Sequence, residues 1–217
     1  MNTALRIYLL RDGKVAPVRR DVPATEEVAT AVIHELAQGA TSQEQAEGLS
    51  TAYPAGAPVT GVTVDNGVAT VTLNQTLSHT ALGQLVYTLT QFATVQGVRT
   101  SRMIGDAAPL TRASFEDATP SILVESPLPG ETVTSPLRVH GTANTFEATF
   151  DLAVLNSSGV RIAWRFVTAT SGSGTRGTFD TTISFARSAG ALTLEAYEPS
   201  AENGKPTHVV RIPVVQS

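Results

Sequence analysis

The sequence predicts two domains, an α+β domain with a mixed sheet and two helices, followed by an all-β antiparallel sandwich. Residues 1–105 alternate between strand-like and helical hydrophobic periods, which is typical of helices packed on a sheet. Residues 106–120 have no clear period, and short strand-like runs separated by turn residues follow. We therefore expect the domains over residues 1–117 and 118–217.

The N-terminal domain is expected to begin with two paired strands. Residues 6–10 are apolar and lead into Asp12-Gly13, a common turn pair, after which residues 16–22 can return as the partner strand.

A first amphipathic helix is expected over residues 25–37, because apolar residues recur there on one helical face. Thr25 can cap this helix. Glu26 and Glu27 lie where the positive end of the helix dipole favours acidic side chains.

The strongest local signal is a hairpin over residues 62–73. Asn66-Gly67 readily supplies the positive φ angles that a type I′ turn requires. The register that this turn sets makes one face of the hairpin apolar. The expected cross-strand pairs are Val64 with Ala69 and Val62 with Val71.

A second helix is expected over residues 81–95, ended by Gly97 and followed by a strand over residues 98–104. Its apolar stripe from Leu82 to Phe92 is expected in the core rather than in a groove for a partner, because a small two-helix domain has little else to bury.

The C-terminal domain is expected to contain seven short strands, which suggests an antiparallel sandwich. Pro213 places the last strand at an edge or a bulge. The expected strands cover residues 121–125, 137–141, 145–155, 160–168, 177–185, 191–197 and 208–215.

Strands 145–155 and 160–168 show the clearest alternation, and Ser157-Ser158-Gly159 can join them with Gly159 in the left-handed conformation. This loop pairs Leu152 with Trp164 and Phe150 with Phe166, and it sets Asp151 opposite Arg165 on the outer face. The residues expected to point inward are Phe146, Ala148, Phe150, Leu152, Val154, Val160, Ile162, Trp164 and Phe166.

Glu147 is a lone carboxylate between two phenylalanines. Alternation places it on the outer face of its strand with Thr145, Thr149 and Asp151, where an acid is ordinary. A structural role is also open, in which Glu147 accepts hydrogen bonds from backbone or hydroxyl groups where the strand begins.

Composition excludes several function classes. The net charge of −4 gives no attraction to nucleic acid, and the absence of cysteine removes thiolate chemistry and disulfides. The sequence contains no run of about 18 apolar residues, so no membrane-spanning helix is expected. The chain enters a strand-like run at once, so no signal peptide is visible.

The titratable residues show no catalytic or metal-binding pattern, so we expect no catalytic, cofactor or metal site. Glu26-Glu27, Glu116-Asp117 and Glu147 with Asp151 are interpreted as a helix N-terminus, a linker and the solvent face of a strand. The histidines, interpreted as unrelated polar positions, are His34, His79, His140 and His208.

Three further motifs are interpreted as structural features and not as ligand-binding sites. The glycine-rich run Ser171–Gly177 lacks the lysine of a phosphate-binding loop and is expected to be a flexible hairpin loop. Arg19-Arg20, and Arg161 with Arg165, are interpreted as solvated faces rather than anion sites.

The first part of the sequence resembles the GerMN domain of bacterial sporulation and spore-germination proteins. The second part is similar to the immunoglobulin-like, Gmad-type domain found beside it. The segments that carry the first resemblance are Arg6–Leu10, Thr25–Ala37, Gly61–Leu73, Leu82–Thr90 and Val98–Gly105. Those that carry the second are Ser126–Gly130, Gly141–Glu147, Gly177–Phe179, and Glu198–Lys205 leading into Val209–Val214.

The resemblance implies an exported envelope protein, anchored to the membrane directly or by a lipid through a segment outside this sequence, with no established enzymatic activity. GerMN domains resemble ring-building domains, so self-association is an expectation. We expect a non-catalytic, extracytoplasmic binding or scaffolding protein that contacts envelope proteins or the cell wall.

Two alternatives remain open. One is an envelope hydrolase that uses Glu147 and a second carboxylate about 5 to 9.5 Å away. The other is a carbohydrate-binding module, which requires a row of exposed aromatic side chains. The sequence offers little for such a row while Trp164 is assigned inward.

Overall fold

The computed structural model describes residues 2–23, 25, 27–56, 59–103, 107–186 and 190–217. The chain forms a mostly β structure with several sheets and few helices, in two compact units, Met1–Thr119 and Pro120–Ser217. The sequence places the domain boundary after residue 117, and the compact units divide after Thr119.

The described part of the N-terminal unit contains six strands and three helices. The strands are β1 (Asn2–Arg11), β2 (Lys14–Pro23), β3 (Leu49–Ser50), β4 (Val59–Asp65), β5 (Val68–Leu73) and β6 (Gly97–Thr100). The helices are α1 (Val28–Gln38), α2 (Ser42–Ala46) and α3 (His79–Leu89), and a 3₁₀ segment covers Arg112–Ala118.

These strands form two three-stranded sheets instead of the single mixed sheet expected from the sequence. The order in the first sheet is β2-β1-β3, and in the second it is β4-β5-β6. The second sheet is mixed, because β5 pairs antiparallel with β4 and parallel with β6. Helices α1 and α3 both pack against β1.

Both predicted hairpin turns of this unit are confirmed. Asp12 and Gly13 have φ angles of 52° and 75°, and Asn66 and Gly67 have φ angles of 47° and 81°. The register of β4 and β5 is also as predicted, with Val64 opposite Ala69 and Val62 opposite Val71. Local turn chemistry therefore sets these two pairings.

The beginning of α1 differs from the prediction. The N-cap is Glu27, and its side chain does not cap the helix. Thr25 accepts a hydrogen bond from the Glu27 amide at 3.1 Å, so its hydroxyl closes a short turn before the helix instead of capping it. Glu26 lies outside the described residues.

Helix α3 is shorter than predicted, because it ends at Leu89 and Gly97 begins β6 instead of ending the helix. Just past the helix, Gln91 donates to the Arg6 carbonyl at 2.6 Å and accepts from the Arg6 amide at 2.9 Å, which ties this segment to β1. The apolar stripe is core as predicted, with Leu85 and Leu89 fully buried. The strand expected to reach Ile104 ends at Thr100, and Ile104 lies outside the described residues.

Helix α2 is absent from the prediction, although its signal is in the sequence. Thr41 and Glu44 form a capping box, in which each side chain accepts a hydrogen bond from the other residue's amide. Arg20 donates to both carboxylate oxygens of Glu44 at 2.7 Å and to the Gly39 carbonyl at 3.1 Å. Arg20 is therefore a half-buried structural residue, whereas Arg19 pairs with Asp21 in solvent, as expected of a solvated face.

Burial raises the pKa of the Glu44 carboxyl, but hydrogen bonds from Arg20 and Thr41 outweigh that effect and hold the pKa below its ordinary value. The carboxylate is thus ionised at neutral pH, which maintains its bidentate contact with the guanidinium.

The C-terminal unit contains eight strands in its described part, one more than predicted. They are β7 (Ile122–Ser126), β8 (Thr132–Val133), β9 (Leu137–Ala143), β10 (Thr149–Leu155), β11 (Arg161–Thr168), β12 (Gly177–Ile183), β13 (Ala191–Pro199) and β14 (Pro206–Gln216). The additional strand is β8, whose two residues are too short to give a hydrophobic period.

Two sheets enclose one apolar core in this unit. A five-stranded sheet has the order β11-β10-β13-β14-β8, and a three-stranded sheet has the order β12-β9-β7. The core takes Val139 and Phe179 from the smaller sheet and Phe150, Leu152 and Leu194 from the larger one. The larger sheet is not purely antiparallel, because β8 pairs parallel with β14.

Pro213 does not lie on an edge strand, since β14 is second from the edge of the larger sheet. β8 pairs with Val215 and Gln216, beyond the proline, so the missing amide hydrogen removes no ladder hydrogen bond there. In the described part of the chain, no helix has the length and apolar character needed to cross a bilayer.

Gln84 joins three parts of the N-terminal core. Its side chain is fully buried on α3. The amide nitrogen donates to the Tyr8 carbonyl at 2.8 Å, and the amide oxygen accepts from the backbone amides of Ala52 and Tyr53 at 2.8 and 3.1 Å. One side chain therefore satisfies backbone groups of β1 and of the loop after β3.

Unlike the side-chain amide of Gln84, the buried hydroxyl of Tyr53 has no hydrogen-bond partner among the described residues. Burial raises the pKa of the Tyr53 hydroxyl to about 12. The buried hydroxyl of Tyr87, by contrast, lies 2.6 Å from the Thr119 hydroxyl.

We expect Gln84→Leu to lower the free energy of unfolding by about 3 kcal/mol, because it leaves several buried backbone groups without partners. Urea denaturation followed by circular dichroism measures this change. Gln38→Leu, at the exposed end of α1, serves as the control and should shift stability by no more than about 0.5 kcal/mol. Equal effects of the two substitutions would contradict the role assigned to Gln84.

We expect Tyr53→Phe to raise the free energy of unfolding at pH 7 by about 1 kcal/mol, because it removes a buried hydroxyl without a partner. Tyr87→Phe should destabilise instead, since it breaks a buried hydrogen bond. Tyr53 ionises near pH 10 in the unfolded chain and at a higher pH in the folded chain. The wild type should therefore lose stability from pH 10 to pH 12 more steeply than Tyr53→Phe. Parallel losses in both proteins would exclude this assignment.

Candidate functional site

The hairpin of β10 and β11 determines which side chains reach the surface of the larger sheet. Its predicted loop is confirmed, with Gly159 at φ 75° and the Asn156 amide donating to the Val160 carbonyl at 2.9 Å. Leu155 then pairs with Arg161, as the loop requires. The next pair is Val154 with Ala163, so one extra residue, Ile162, forms a β-bulge.

This bulge reverses the inside and outside of the rest of β11. Trp164 lies opposite Ala153, and Phe166 lies opposite Asp151, instead of opposite Leu152 and Phe150. The predicted register is therefore wrong from Ala163 onward, because a slip of one residue moves every side chain to the other face. Val167 takes the inward position and is buried.

Trp164 and Phe166 consequently share the outer face of β11, with 53% and 55% of their surfaces exposed. β11 is an edge strand of the five-stranded sheet. The prediction that both rings point into the sandwich is wrong. Val160, also expected inside, is exposed before the strand begins.

Acidic and basic side chains continue this face across the sheet. Asp151 on β10 lies opposite Phe166 on β11. Ala153 on β10 lies between Trp164 on β11 and Glu195 on β13. Arg211 on β14 lies opposite Glu195, and its Nε is 2.8 Å from a carboxylate oxygen of Glu195. We call this surface the aromatic–acidic face. It consists of Asp151, Ala153, Trp164, Phe166, Glu195 and Arg211.

The two carboxylates of the face differ in their partners. Glu195 is paired with Arg211. Asp151 is only 7% exposed, and its carboxylate makes no hydrogen bond or ion pair with any described side chain or backbone group. The predicted pair of Asp151 with Arg165 is wrong, because the bulge turns Arg165 away to donate to the Thr182 carbonyl at 2.8 Å.

A tight turn precedes β10 where the prediction has a continuous strand. Residues 146–148 form a 3₁₀ turn with Glu147 at φ 53° and Ala148 at φ 60°, and β10 begins at Thr149. Phe146 is 71% exposed, so its predicted place in the core is wrong. Left-handed backbone at two successive residues breaks the alternation on which that prediction depends.

Glu198, and not Glu147, supplies the hydrogen-bonding carboxylate at this turn. One Glu198 oxygen accepts from the Phe146 amide at 2.9 Å, and the other lies 2.6 Å from Nδ1 of His208. Glu147 is exposed, and its carboxylate contacts no hydrogen-bond donor of the described residues. The structural hydrogen bond that was expected of Glu147 is therefore made by Glu198, a residue of β13.

The glycine-rich segment supports the same turn. It joins β11 to β12, which lie in different sheets, so it is a crossover and not the hairpin loop that was expected. A Cβ added at Gly172 would lie 2.5 Å from Ala148, which only glycine avoids. The Ser173 amide donates to the Thr145 carbonyl at 2.9 Å, and the Ser173 hydroxyl accepts from the Glu147 amide at 3.0 Å.

The histidines lie on separate elements, and no group of three or more potential metal ligands occurs within the described ranges. Besides His208, His79 contacts both oxygens of Asp117 at 3.1 Å. The hydrogen bond from His79 lowers the pKa of the Asp117 carboxyl. Glu116 and Asp117 belong to the 3₁₀ segment of the N-terminal unit and are not in a linker. His34 is exposed on α1, and His140 lies on β9.

The arrangement offers both apolar contact surface and hydrogen-bond acceptors. Two exposed rings offer apolar stacking surface, and adjacent carboxylates accept hydrogen bonds. Asp151 was interpreted as solvated and is instead nearly buried, while no sequence pattern marked Glu195, Glu198 or Arg211 as site residues. Only the neighbouring strands bring these side chains together.

The fold and this surface define a mostly β, two-domain protein with an α-containing unit followed by an immunoglobulin-type unit. Residues 6–101 match the family described as sporulation and spore germination, and residues 121–205 match the family described as the immunoglobulin-like domain of bacterial spore germination. The chain therefore contains a GerMN-like domain followed by a spore-germination immunoglobulin-like domain, as the resemblance implied.

Two solved structures are similar to the chain. The tandem GerMN domains of the sporulation protein GerM from Bacillus subtilis share 14% identity, with a TM-score of 0.43. The match covers 85% of this chain and 62% of that one, so the chain spans less than two thirds of that structure. A putative lipoprotein from Clostridium perfringens shares 17% identity over 49% of this chain and 78% of its own, with a TM-score of 0.30. No curated protein matches the chain.

Trp164 is the single tryptophan of the sequence, so fluorescence reports directly on the bulge. We expect acrylamide to quench the folded protein almost as strongly as the chain unfolded in guanidinium, because the indole is exposed. Trp164→Phe combined with Phe166→Trp should give the same result from the neighbouring outward position. Blue-shifted emission that acrylamide does not quench would show that the indole is buried, and would therefore support the register expected from the sequence instead.

Proposed function

We propose that this chain is a non-catalytic binding or scaffolding protein of the bacterial cell envelope, of the sporulation and germination type, which acts outside the cytoplasm. The observation that carries the proposal is the aromatic–acidic face. Large exposed aromatic side chains that share one face of a sheet are typical of interaction sites. The two family descriptions name sporulation and germination and no chemical reaction.

The sheet beneath the face supports this proposal. Trp164 and Phe166 project from a strand whose other face contributes to the core through Val167. Side chains fixed to a packed sheet lose little conformational freedom when a partner binds, so more of the contact energy appears as affinity.

The hydrolase alternative receives no comparable support. A general acid of a glycosidase needs a shielded carboxyl whose pKa is raised by its surroundings. Glu147 is exposed on a turn. We therefore assign no catalytic role to it.

The test is co-sedimentation of the purified full chain with isolated bacterial envelope fractions that contain cell wall and membrane. We expect the wild type to sediment with the envelope and the Trp164→Ala, Phe166→Ala double variant to remain in the supernatant, because it removes both stacking surfaces. The envelope should release no soluble fragments.

Val215→Ala is the matched control, because Val215 is also an exposed apolar residue on an outward position of the same sheet, on β14. It should sediment like the wild type. Circular dichroism must show that all variants are folded. Retention of the double variant, or release of soluble wall fragments by the wild type, would refute the proposal.

A further inference from the structure

The aromatic–acidic face combines two features that a single ligand class can satisfy. Trp164 and Phe166 provide apolar rings at one side of the face. Next to them lies Asp151, a residue that is only 7% exposed but whose carboxylate oxygens are not fully enclosed and accept no hydrogen bond from the described residues. A ligand that brings hydrogen-bond donors to these accessible oxygens can therefore form charge-assisted bonds that the described residues leave unmade.

Strand geometry directs Asp151 into the face. Its chain neighbours Phe150 and Leu152 are core residues, so Asp151 points to the opposite side of β10, where its cross-strand partner Phe166 also lies. The residue between Trp164 and Glu195 is Ala153, a small residue that is itself only 1% exposed.

We infer that this face binds a neutral glycan, a linear chain of pyranose units with equatorial substituents. Such a ring has an apolar C–H face, which stacks on aromatic side chains, and a rim of hydroxyl donors. Stacking on Trp164 and Phe166 brings the rim toward Asp151 and Glu195. This inference rests on the proposed function and names its ligand class.

Other ligand classes fit the face less well. A purely apolar protein surface would cover Asp151 without giving it a donor. An anionic polymer would meet two carboxylates, of which Arg211 offsets one. A neutral glycan brings donors without adding charge, and the exposed guanidinium of Arg211 can donate to its ring or hydroxyl oxygens.

The spacing of the two rings suits a chain of sugars. Trp164 and Phe166 are two residues apart on one strand, which separates them by about 7 Å. Each ring can therefore contact its own sugar unit. Short oligosaccharides that reach only one ring should bind more weakly than longer ones.

The experiment is isothermal titration of the full chain with chitohexaose, cellohexaose and chitobiose, together with sedimentation on purified peptidoglycan. We expect at least one hexasaccharide to bind more tightly than chitobiose, because it reaches both rings. A hyaluronan hexasaccharide, which carries carboxylates on similar sugars, should bind at least about tenfold more weakly than the better neutral hexasaccharide.

The variants separate stacking from hydrogen bonding. Trp164→Ala and Phe166→Ala should each weaken hexasaccharide binding at least about tenfold through lost stacking area. Asp151→Asn keeps the shape but weakens the acceptor, and we expect a loss of about fivefold. Val215→Ala should bind as the wild type does, and thermal melting checks that every variant is folded.

The outcomes distinguish this inference from the proposed function. Failure of the wild type to bind either of the two neutral hexasaccharides overturns the glycan inference, even if the chain sediments with peptidoglycan, whose stem peptides carry carboxylates. If the chain still sediments with envelope fractions in a manner that needs Trp164, the face binds another envelope component and the proposed function stands. If it binds neither glycan nor envelope, both proposals fail. If Trp164→Ala still binds the hexasaccharide as the wild type does, the inference is also overturned, because the glycan then binds elsewhere on the chain.

Discussion

The register of β11 against β10 is the constraint on which the surface of the C-terminal unit depends. One extra residue, Ile162, interrupts the ladder just after the loop and reverses the two faces of the strand. Val167 then enters the core, and Trp164 and Phe166 face solvent. Without the bulge, the same sequence would bury both rings and expose the positions that now pack. The candidate site is therefore a consequence of backbone pairing more than of residue composition.

Long-range contacts hold the elements around this surface. Glu198 reaches back to the Phe146 amide, and Gly172 fits closely against Ala148, so residues far apart in the chain fix one short turn. In the N-terminal unit, Gln84 has the same kind of function, because a single buried amide connects β1 with the loop after β3. In both units, polar side chains join backbone segments that hydrophobic packing alone does not align.

Features that depend on neighbouring residues could be predicted from the sequence. Asn66-Gly67 fixed its hairpin and register, Gly159 fixed its loop, and the apolar period of α3 identified core residues. Features that depend on tertiary contacts could not. Alternation cannot reveal a single inserted residue such as Ile162, and nothing near Phe146 indicates that a distant carboxylate will accept its amide hydrogen. The candidate site depends on the first of these features, so the sequence did not predict it and assigned Trp164 and Phe166 to the core.

On this proposal, the outer face of β10, β11 and β13 is a preformed binding surface for neutral glycans. Amide NMR spectra of the labelled chain, recorded during titration with chitohexaose and cellohexaose, test it most directly. We expect the shifts to concentrate on residues 151–153, 164–166 and 195, with the Trp164 indole signal moving most, while the signals of the N-terminal unit do not move. Shifts confined to other residues, or none with either glycan at millimolar concentration, would contradict it.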